Sequence, residues 1–270
     1  MQINFNVKGK IITLEWSDGE TFKKVIGRQT SFFGKTPNEM TDEFVNQKSR
    51  EEYTGHIEYI LDNVPLPDNP TILDIGSGTS IVDLSIYSYL DKKAKFYLLD
   101  GKNLIDGRGG HTNLHDKDFQ PFNKWDPVLD AINTLGFNPE DFTFLDAAWE
   151  WDGSAFVPNT NITAQHQVSV DLVISIGAYG LHFPISNYWD LVMSTLKPGG
   201  WLVIRPMVNL GNQFEFICSQ FGAPKYHDEV KMSLIKDARP NDFLRWEKLF
   251  PNANDPESIW GYCGIWQRPL

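Results

Sequence analysis

The sequence is poor in cysteine, in cations relative to anions, and in long apolar runs. Its two cysteines, Cys218 and Cys263, stand alone. They offer neither the paired spacing of a zinc site nor enough thiols for a disulfide framework, and read as buried, reduced thiols in a cytoplasmic protein. No window approaches the roughly 18 uninterrupted apolar residues of a membrane span. Met1-Gln-Ile-Asn-Phe-Asn-Val-Lys8 has no apolar core of the secretory kind, so a signal peptide is not expected. The match of Asn161-Ile-Thr163 to a glycosylation acceptor therefore carries little weight. Lys and Arg number 24 against 35 Asp and Glu, a formal charge of −11. That field disfavours broad contact with nucleic acid or an anionic membrane, which points to a small-molecule substrate. Otherwise the composition, 41% hydrophobic and 22% charged, is that of an ordinary globular chain able to bury a full core.

Residues 1 to 30 alternate as strands do. Ile3, Phe5 and Val7, then Ile12, Leu14 and Trp16, flank Lys8-Gly9-Lys10, and Ser17-Asp18-Gly19 is a further turn signal, so an N-terminal β-hairpin is expected. From 38 to 63 the period changes: Met40, Phe44, Tyr53, Ile57, Ile60 and Leu61 are spaced for helices, closed by Pro65, Pro67 and Pro70. Strands and helices then alternate. Strands are expected at Ile72–Ile75, Ala94–Leu99, Phe142–Leu145, Val170–Ile176 and Trp201–Ile204. Helices are expected from Thr79 or Ser80 through Tyr89, from Asp126-Pro127 through Leu135, over Ile185–Leu196 and over Gln213–Phe221. Strands near Lys231–Ile235 and over Ile259–Trp266 complete the pattern, which argues for an α/β fold with a mostly parallel sheet covered on both faces.

The most informative stretch is Thr71-Ile-Leu-Asp-Ile-Gly-Ser-Gly-Thr-Ser80. An apolar strand that turns through Gly-x-Gly into a helix N-terminus lets a nucleotide-like ligand lie against bare backbone. A dinucleotide fingerprint wants a third glycine where Ile81 stands, and the turn lacks the Gly-Lys-Ser/Thr of a P-loop. What remains is Asp74 before the glycines and Asp100 at the end of the next strand, placed to accept ribose hydroxyls.

In these residues the chain resembles the class I S-adenosylmethionine-dependent methyltransferase family, over roughly residues 70 to 205. Asp74-Ile-Gly-Ser-Gly-Thr-Ser80 is similar to its first motif, with Ser80 where the family often has a glycine. Phe96-Tyr-Leu-Leu-Asp100 is similar to its second, and Phe144-Leu-Asp-Ala147 to the segment whose acid faces the adenine. Asp171-Leu-Val-Ile-Ser-Ile-Gly177 resembles the fourth strand, whose end faces the methyl group, and Leu196-Lys-Pro-Gly-Gly-Trp-Leu-Val-Ile204 the turn and strand that follow. The resemblance implies a Rossmann-like methyltransferase sheet of seven strands, the last antiparallel. Residues 1–65 would be an accessory or lid region and 66–270 the cofactor domain. It implies S-adenosylmethionine as cofactor, leaving as S-adenosylhomocysteine, held by Asp74, Gly76, Ser77, Gly78, Asp100, Gly101, Asp146, Ala147, Ser175 and Gly177.

For the chemistry, His182 and Tyr179 follow the fourth strand on the methyl edge. His182 is the candidate base for an oxygen nucleophile of a sugar-like or other hydroxyl compound, or a histidine that packs beside Pro184; Tyr179 either donates a hydrogen bond into the pocket or packs. The absence of Asn/Asp-Pro-Pro-Tyr/Phe argues against base-amine methylation. Arg50, Tyr53 and His56 reach the cofactor or substrate, or form an ordinary helix face. Trp149 and Trp151 flank the adenine or bury area. In the loop from Lys102 to Trp125, His111, His115, Asp116 and Asp118 have ligand chemistry, but Gly107, Gly109 and Gly110 favour a loop, a substrate lid among the options, so no metal site is assigned. The alternatives of another class are a non-catalytic binding protein on the same fold and an NAD-dependent oxidoreductase, the latter disfavoured by Ile81.

Overall fold

Alternation sets the first element. Ile3, Phe5 and Val7 are buried on β1 (Gln2–Val7) and Ile12 and Leu14 on β2 (Lys10–Glu15), paired antiparallel from Gln2↔Glu15 to Val7↔Lys10. The computed structural model describes residues 1–26, 39–100, 125–147, 150–151, 156–157, 169–178, 185–208, 213–231 and 260–270. The strand-like reading of residues 1 to 30 is corrected past Gly19, where α1 (Gly19–Ile26) forms. Its cause is local: Asp18 accepts from the Thr21 N–H at 3.0 Å and from its hydroxyl at 2.5 Å, satisfying a first-turn donor.

α2 (Asp42–Asn63) starts at Thr41, whose hydroxyl accepts from the Phe44 N–H at 3.2 Å. Val45, Ser49, Tyr53, Ile57 and Ile60 recur every three or four residues and form its buried stripe. After the Pro-rich link come β3 (Thr71–Ile75), α3 (Ile81–Tyr89) and β4 (Lys95–Asp100). α4 (Asp126–Thr134), with Pro127 in its first turn, leads to β5 (Phe142–Asp146). A two-residue ribbon, β6 (Glu150–Trp151) with β7 (Phe156–Val157), precedes β8 (Val170–Ile176). The helix expected over Ile185–Leu196 is a 3-10 turn, Ile185–Tyr188, continued by α5 (Trp189–Thr195), and β9 (Leu196–Val208) follows directly. α6 (Gln213–Phe221), β10 (Tyr226–Lys231) and β11 (Trp260–Gln267) complete the described elements. β10 begins five residues earlier than the expected 231–235 because Tyr226 already pairs with Ile265.

The main sheet has seven strands among the described residues, in the order β10-β11-β9-β8-β3-β4-β5. β3, β4, β5, β8 and β9 run parallel, and β11 is antiparallel to both β9 and β10. This is the sheet that the resemblance implies, antiparallel last strand included.

Successive strand residues face opposite layers. Ile72, Phe96, Leu98, Leu172 and Ile174 face a core shared with α2, α3, α4 and the N-terminal hairpin. Leu73, Ile75, Leu99, Val173 and Leu202 face the other, with α5 and α6. The hairpin is thus built into the first core. No described helix is long and apolar enough to cross a membrane.

Candidate functional site

The strand order places the site. β3 is flanked by β4 on one side and by β8 on the other, and the helices α3 and α5 pack on opposite faces of the sheet, the kind of switch in strand order beyond which α/β sheets bind ligands. The Gly76–Ser80 turn lies at that point. Gly76 has φ +82°, and a Cβ built on it would stand 2.2 Å from the Cβ of Ala178 after β8. Only glycine fits where these two turns meet.

The turn wraps the end of β4. The N–H groups of Gly76 and Ser77 donate to the Leu99 carbonyl at 2.8 and 3.2 Å, and the Gly78 N–H donates to Asp100 Oδ2 at 2.7 Å. The Asp100 carboxylate, 7% exposed, is therefore fixed by the turn itself. β5 joins through the Ala147 N–H, which donates to the Asp100 carbonyl at 2.9 Å, and Asp146 sits opposite Asp100 in the parallel register. On the β8 side the Ser175 hydroxyl donates to the Ile75 carbonyl at 2.7 Å, and the Gly177 N–H donates to the Arg205 carbonyl at 2.8 Å. Pieces separated by as many as 103 residues (Asp74 to Gly177) thus meet along one sheet edge: Asp74, Gly76, Ser77, Gly78, Asp100, Asp146, Ala147, Ser175 and Gly177. Gly101, Tyr179 and His182 lie outside the described residues, as do His111, His115, Asp116, Asp118 and Trp149.

Ser80 adopts φ +51° at the start of α3 and makes no side-chain cap hydrogen bond. That left-handed backbone is free for glycine and costs a residue with a Cβ about 1 kcal/mol. It gives a physical reason for the glycine common at this position in the family the sequence resembles.

Below the turn, the α2 residues resolve differently. Tyr53 is buried and hydrogen-bonded to Thr79, so it braces the glycine turn, and burial raises its phenol above the ordinary value. His56 lies beside Glu52 at 3.6 Å, and Arg50 is exposed.

The electrostatics centre on Asp74. It is 4% exposed, and its Oδ1 meets no hydrogen-bond donor. Burial first, then Asp83 and Asp100, holds its carboxyl well above the usual carboxylate range. Asp83, fully buried in the first turn of α3, is raised by the same burial.

No protein-family model matches this sequence, and no curated protein does. Among solved structures the chain is similar to TrmN from Thermus thermophilus, over 77% of this chain and 46% of that one, at 14% identity and a TM-score of 0.45. It spans less than half of TrmN. It is similar to the C-terminal domain of precorrin-6Y C5,15-methyltransferase from Rhodobacter capsulatus over 80% of this chain and 89% of that one (14% identity, TM-score 0.43). The arsenic(III) S-adenosylmethionine methyltransferase of Chlamydomonas reinhardtii matches over 79% and 73% (13% identity, TM-score 0.43).

The strand order and the antiparallel β11 give the chain the Rossmann-like sheet that the resemblance to class I methyltransferases implies.

Two residues of the site region escape a sequence reading. Asp83 has a signal, an acid inside the apolar run Ile81-Val82-Asp83-Leu84 that opens a helix. Arg205 follows Leu202-Val-Ile204 at the end of an apolar run. Its guanidinium stacks 4.5 Å over the Tyr59 ring, and its Nη1 donates to the Gly55 carbonyl at 3.2 Å, tying β9 to α2.

Proposed function

We propose that this protein is an S-adenosylmethionine-dependent methyltransferase acting on a small or medium-sized acceptor through an oxygen nucleophile, sugar-like or otherwise hydroxyl-bearing, in the cytoplasm. The observation that carries the reading is the Gly78 N–H to Asp100 hydrogen bond of 2.7 Å. It joins the glycine turn after β3 to an acid at the end of β4, the arrangement that accepts a ribose. The charge of the site supports the same choice. Asp100 and Asp146, side by side at the ends of β4 and β5, and the buried Asp74 Oδ1 offer acceptors only, which disfavours a pyrophosphate and suits a ligand carrying hydroxyls and an ammonium.

The residues present fit the cofactor. Gly76 and Gly78 leave bare backbone, Asp100 and Asp146 offer acceptors side by side, and the buried Asp74 Oδ1 awaits a donor. When bound, S-adenosylmethionine supplies a methyl group on a sulfonium, which an in-line oxygen displaces. This chain's part is to orient the cofactor with Asp74, Asp100 and the turn N–H groups and to present the acceptor at the ends of β3 and β8. His182 is proposed to take the acceptor's proton and Tyr179 to line the pocket. Residues 1–65 are assigned an accessory role, with Tyr53 bracing the turn. The formal charge of −11 supports a small molecule over nucleic acid.

Calorimetric titration with S-adenosylhomocysteine and, separately, NAD tests the cofactor. Binding of NAD alone would remove the reading. An acceptor screen with methyl-labelled S-adenosylmethionine then identifies the product class. In that assay His182→Ala should lower turnover and leave cofactor affinity unchanged; equal turnover removes His182 as the base.

A further inference from the structure

Arg205 holds a positive charge at the sheet edge that carries the glycine turn. Ile176 lies opposite Arg205 in the parallel register, as Ile174 lies opposite both Val203 and Asp74. Arg205 is therefore level with Gly76, two strand spacings or about 10 Å away. Across the edge run Asp146 on β5, Asp100 on β4, the turn after β3, the end of β8, and Arg205 on β9. The paired acids and the guanidinium thus stand on opposite sides of the turn. β9 is shaped at this residue. It pairs with β11 as Tyr262↔Met207 and Gly264↔Ile204, so Arg205 and Pro206 together oppose Cys263 alone. That is a β-bulge, at a proline with no N–H to give the ladder, and a bulge re-aims the side chain it carries. Val203 faces the core shared with α2, and Arg205, two residues on, faces α2 as well. There Tyr59 covers one face of the guanidinium, and the Gly55 carbonyl takes one of its five N–H donors. These neighbours orient the charge without neutralising it. Among the described residues Arg205 forms no ion pair, and burial pushes up the thiol of Cys263 opposite the bulge, which stays uncharged. Arg205 is half-buried, within reach of a bound group.

Resting on the methyltransferase reading of the glycine turn, we propose that Arg205 sets the acceptor class: a hydroxyl compound that also bears a carboxylate, bound by the guanidinium. The planar fork of donors matches a carboxylate in two-point contact. A doubly charged phosphate is disfavoured by the formal charge of −11 and by Asp228, which lies opposite Cys263 on β10. Tyr59 is the positioning residue, a flat support that fixes the plane of the guanidinium. S-adenosylmethionine carries a carboxylate of its own. With Asp100 as the ribose acceptor on β4, β9 lies on the far side of the turn, which favours the acceptor as the partner of Arg205.

The test measures methyl transfer from labelled S-adenosylmethionine to two matched pools, hydroxy-carboxylic acids and the corresponding primary amides, which keep the shape without the charge. The full-length wild type should favour the acids by at least about tenfold in kcat/KM. Arg205→Met keeps the stem and loses the charge. It should bring the two pools to parity by raising KM for the acids, with the Kd of S-adenosylhomocysteine unchanged. Arg205→Lys keeps the charge without the fork and should retain only part of the preference. A wild type that methylates no acid, or both pools alike, overturns the proposal, as does an undiminished preference in either variant. A weakened Kd for S-adenosylhomocysteine in Arg205→Met assigns the residue to the cofactor's carboxylate and overturns the acceptor role. The wild-type ratio and Arg205→Lys decide if Arg205→Met does not fold. Failure of the wild type to bind S-adenosylhomocysteine at all overturns the methyltransferase reading instead.

Discussion

Gly76 and Ala178 meet so closely that a Cβ on the first would stand 2.2 Å from the Cβ of the second. They follow β3 and β8, the two neighbouring strands at which the strand order switches, so the contact fixes how closely the two turns approach. Gly76→Ala would combine this overlap with a φ of +82° that alanine resists. Overpacking and backbone strain together should cost about 2–4 kcal/mol and abolish S-adenosylhomocysteine binding. Adding Ala178→Gly removes the overlap but not the backbone strain, so about half of the loss should return. Urea denaturation of the two single variants and the double variant measures this; a strictly additive cycle would show that the contact is not the cause.

Ser80 invites the opposite change. Its φ of +51° is the left-handed region, and its side chain makes no cap hydrogen bond in return. Ser80→Gly should stabilise the fold by about 0.5–1 kcal/mol, the strain relieved less the entropy that glycine loses. A melting temperature raised by a few degrees is the expected reading, and a lowered one would mean that the Ser80 hydroxyl supports Asp83 more than its backbone strains α3.

The glycine turn and the parallel strands are legible in the sequence because they are local. Ile72 to Ile75 is apolar without a break, Gly76 and Gly78 fix a turn, and Asp100 ends the next apolar run. Contacts between elements are less so. Asp83 acquires its meaning only when α3 packs back on β3 and sets it against Asp74. Tyr53 is written equally well as a core residue or a ligand until Thr79 comes within hydrogen-bonding reach. α1 escapes because its buried Phe22, Val25 and Ile26 occupy too short a segment to declare a helical period, and its start is decided by the Asp18 side chain.

Asp171 ties three strands together. Its Oδ2 accepts from the Thr71 N–H on β3 at 2.9 Å, and its Oδ1 meets Lys197 Nζ on β9 at 2.7 Å. The lysine side chain is 41% exposed, so the ion pair is worth little in water, at most about 0.5 kcal/mol. The backbone hydrogen bond, less exposed, matters more. Asp171→Ala should therefore cost about 1–2 kcal/mol and Lys197→Met a few tenths, with cofactor affinity unchanged in both. Equal losses in chemical denaturation would contradict this ranking.

Protonation linkage should tilt the pH profile of stability against the usual acid-labile direction. Burial raises the carboxyls of Asp74 and Asp83 above their unfolded values, so between the ordinary carboxylate range near pH 4 and the raised values the folded state binds more protons than the unfolded chain. Unfolding then releases protons, and stability falls as pH rises through that window, by up to about 1.4 kcal/mol per unit for each proton held. The surface acids Asp42 and Asp91, lowered by Lys23 and Lys10, contribute stability above their unfolded values that is lost only as pH falls through their folded ones. The two effects occupy different windows, the second below about pH 4. Stability of the ligand-free protein should therefore decline from pH 5 to pH 8, and Asp83→Asn should flatten that decline, since a neutral amide then stands where the second carboxyl stood. Urea midpoints measured across this range decide it: a wild type whose stability stays level or climbs over the same interval would show that the pair does not hold a proton in the folded state.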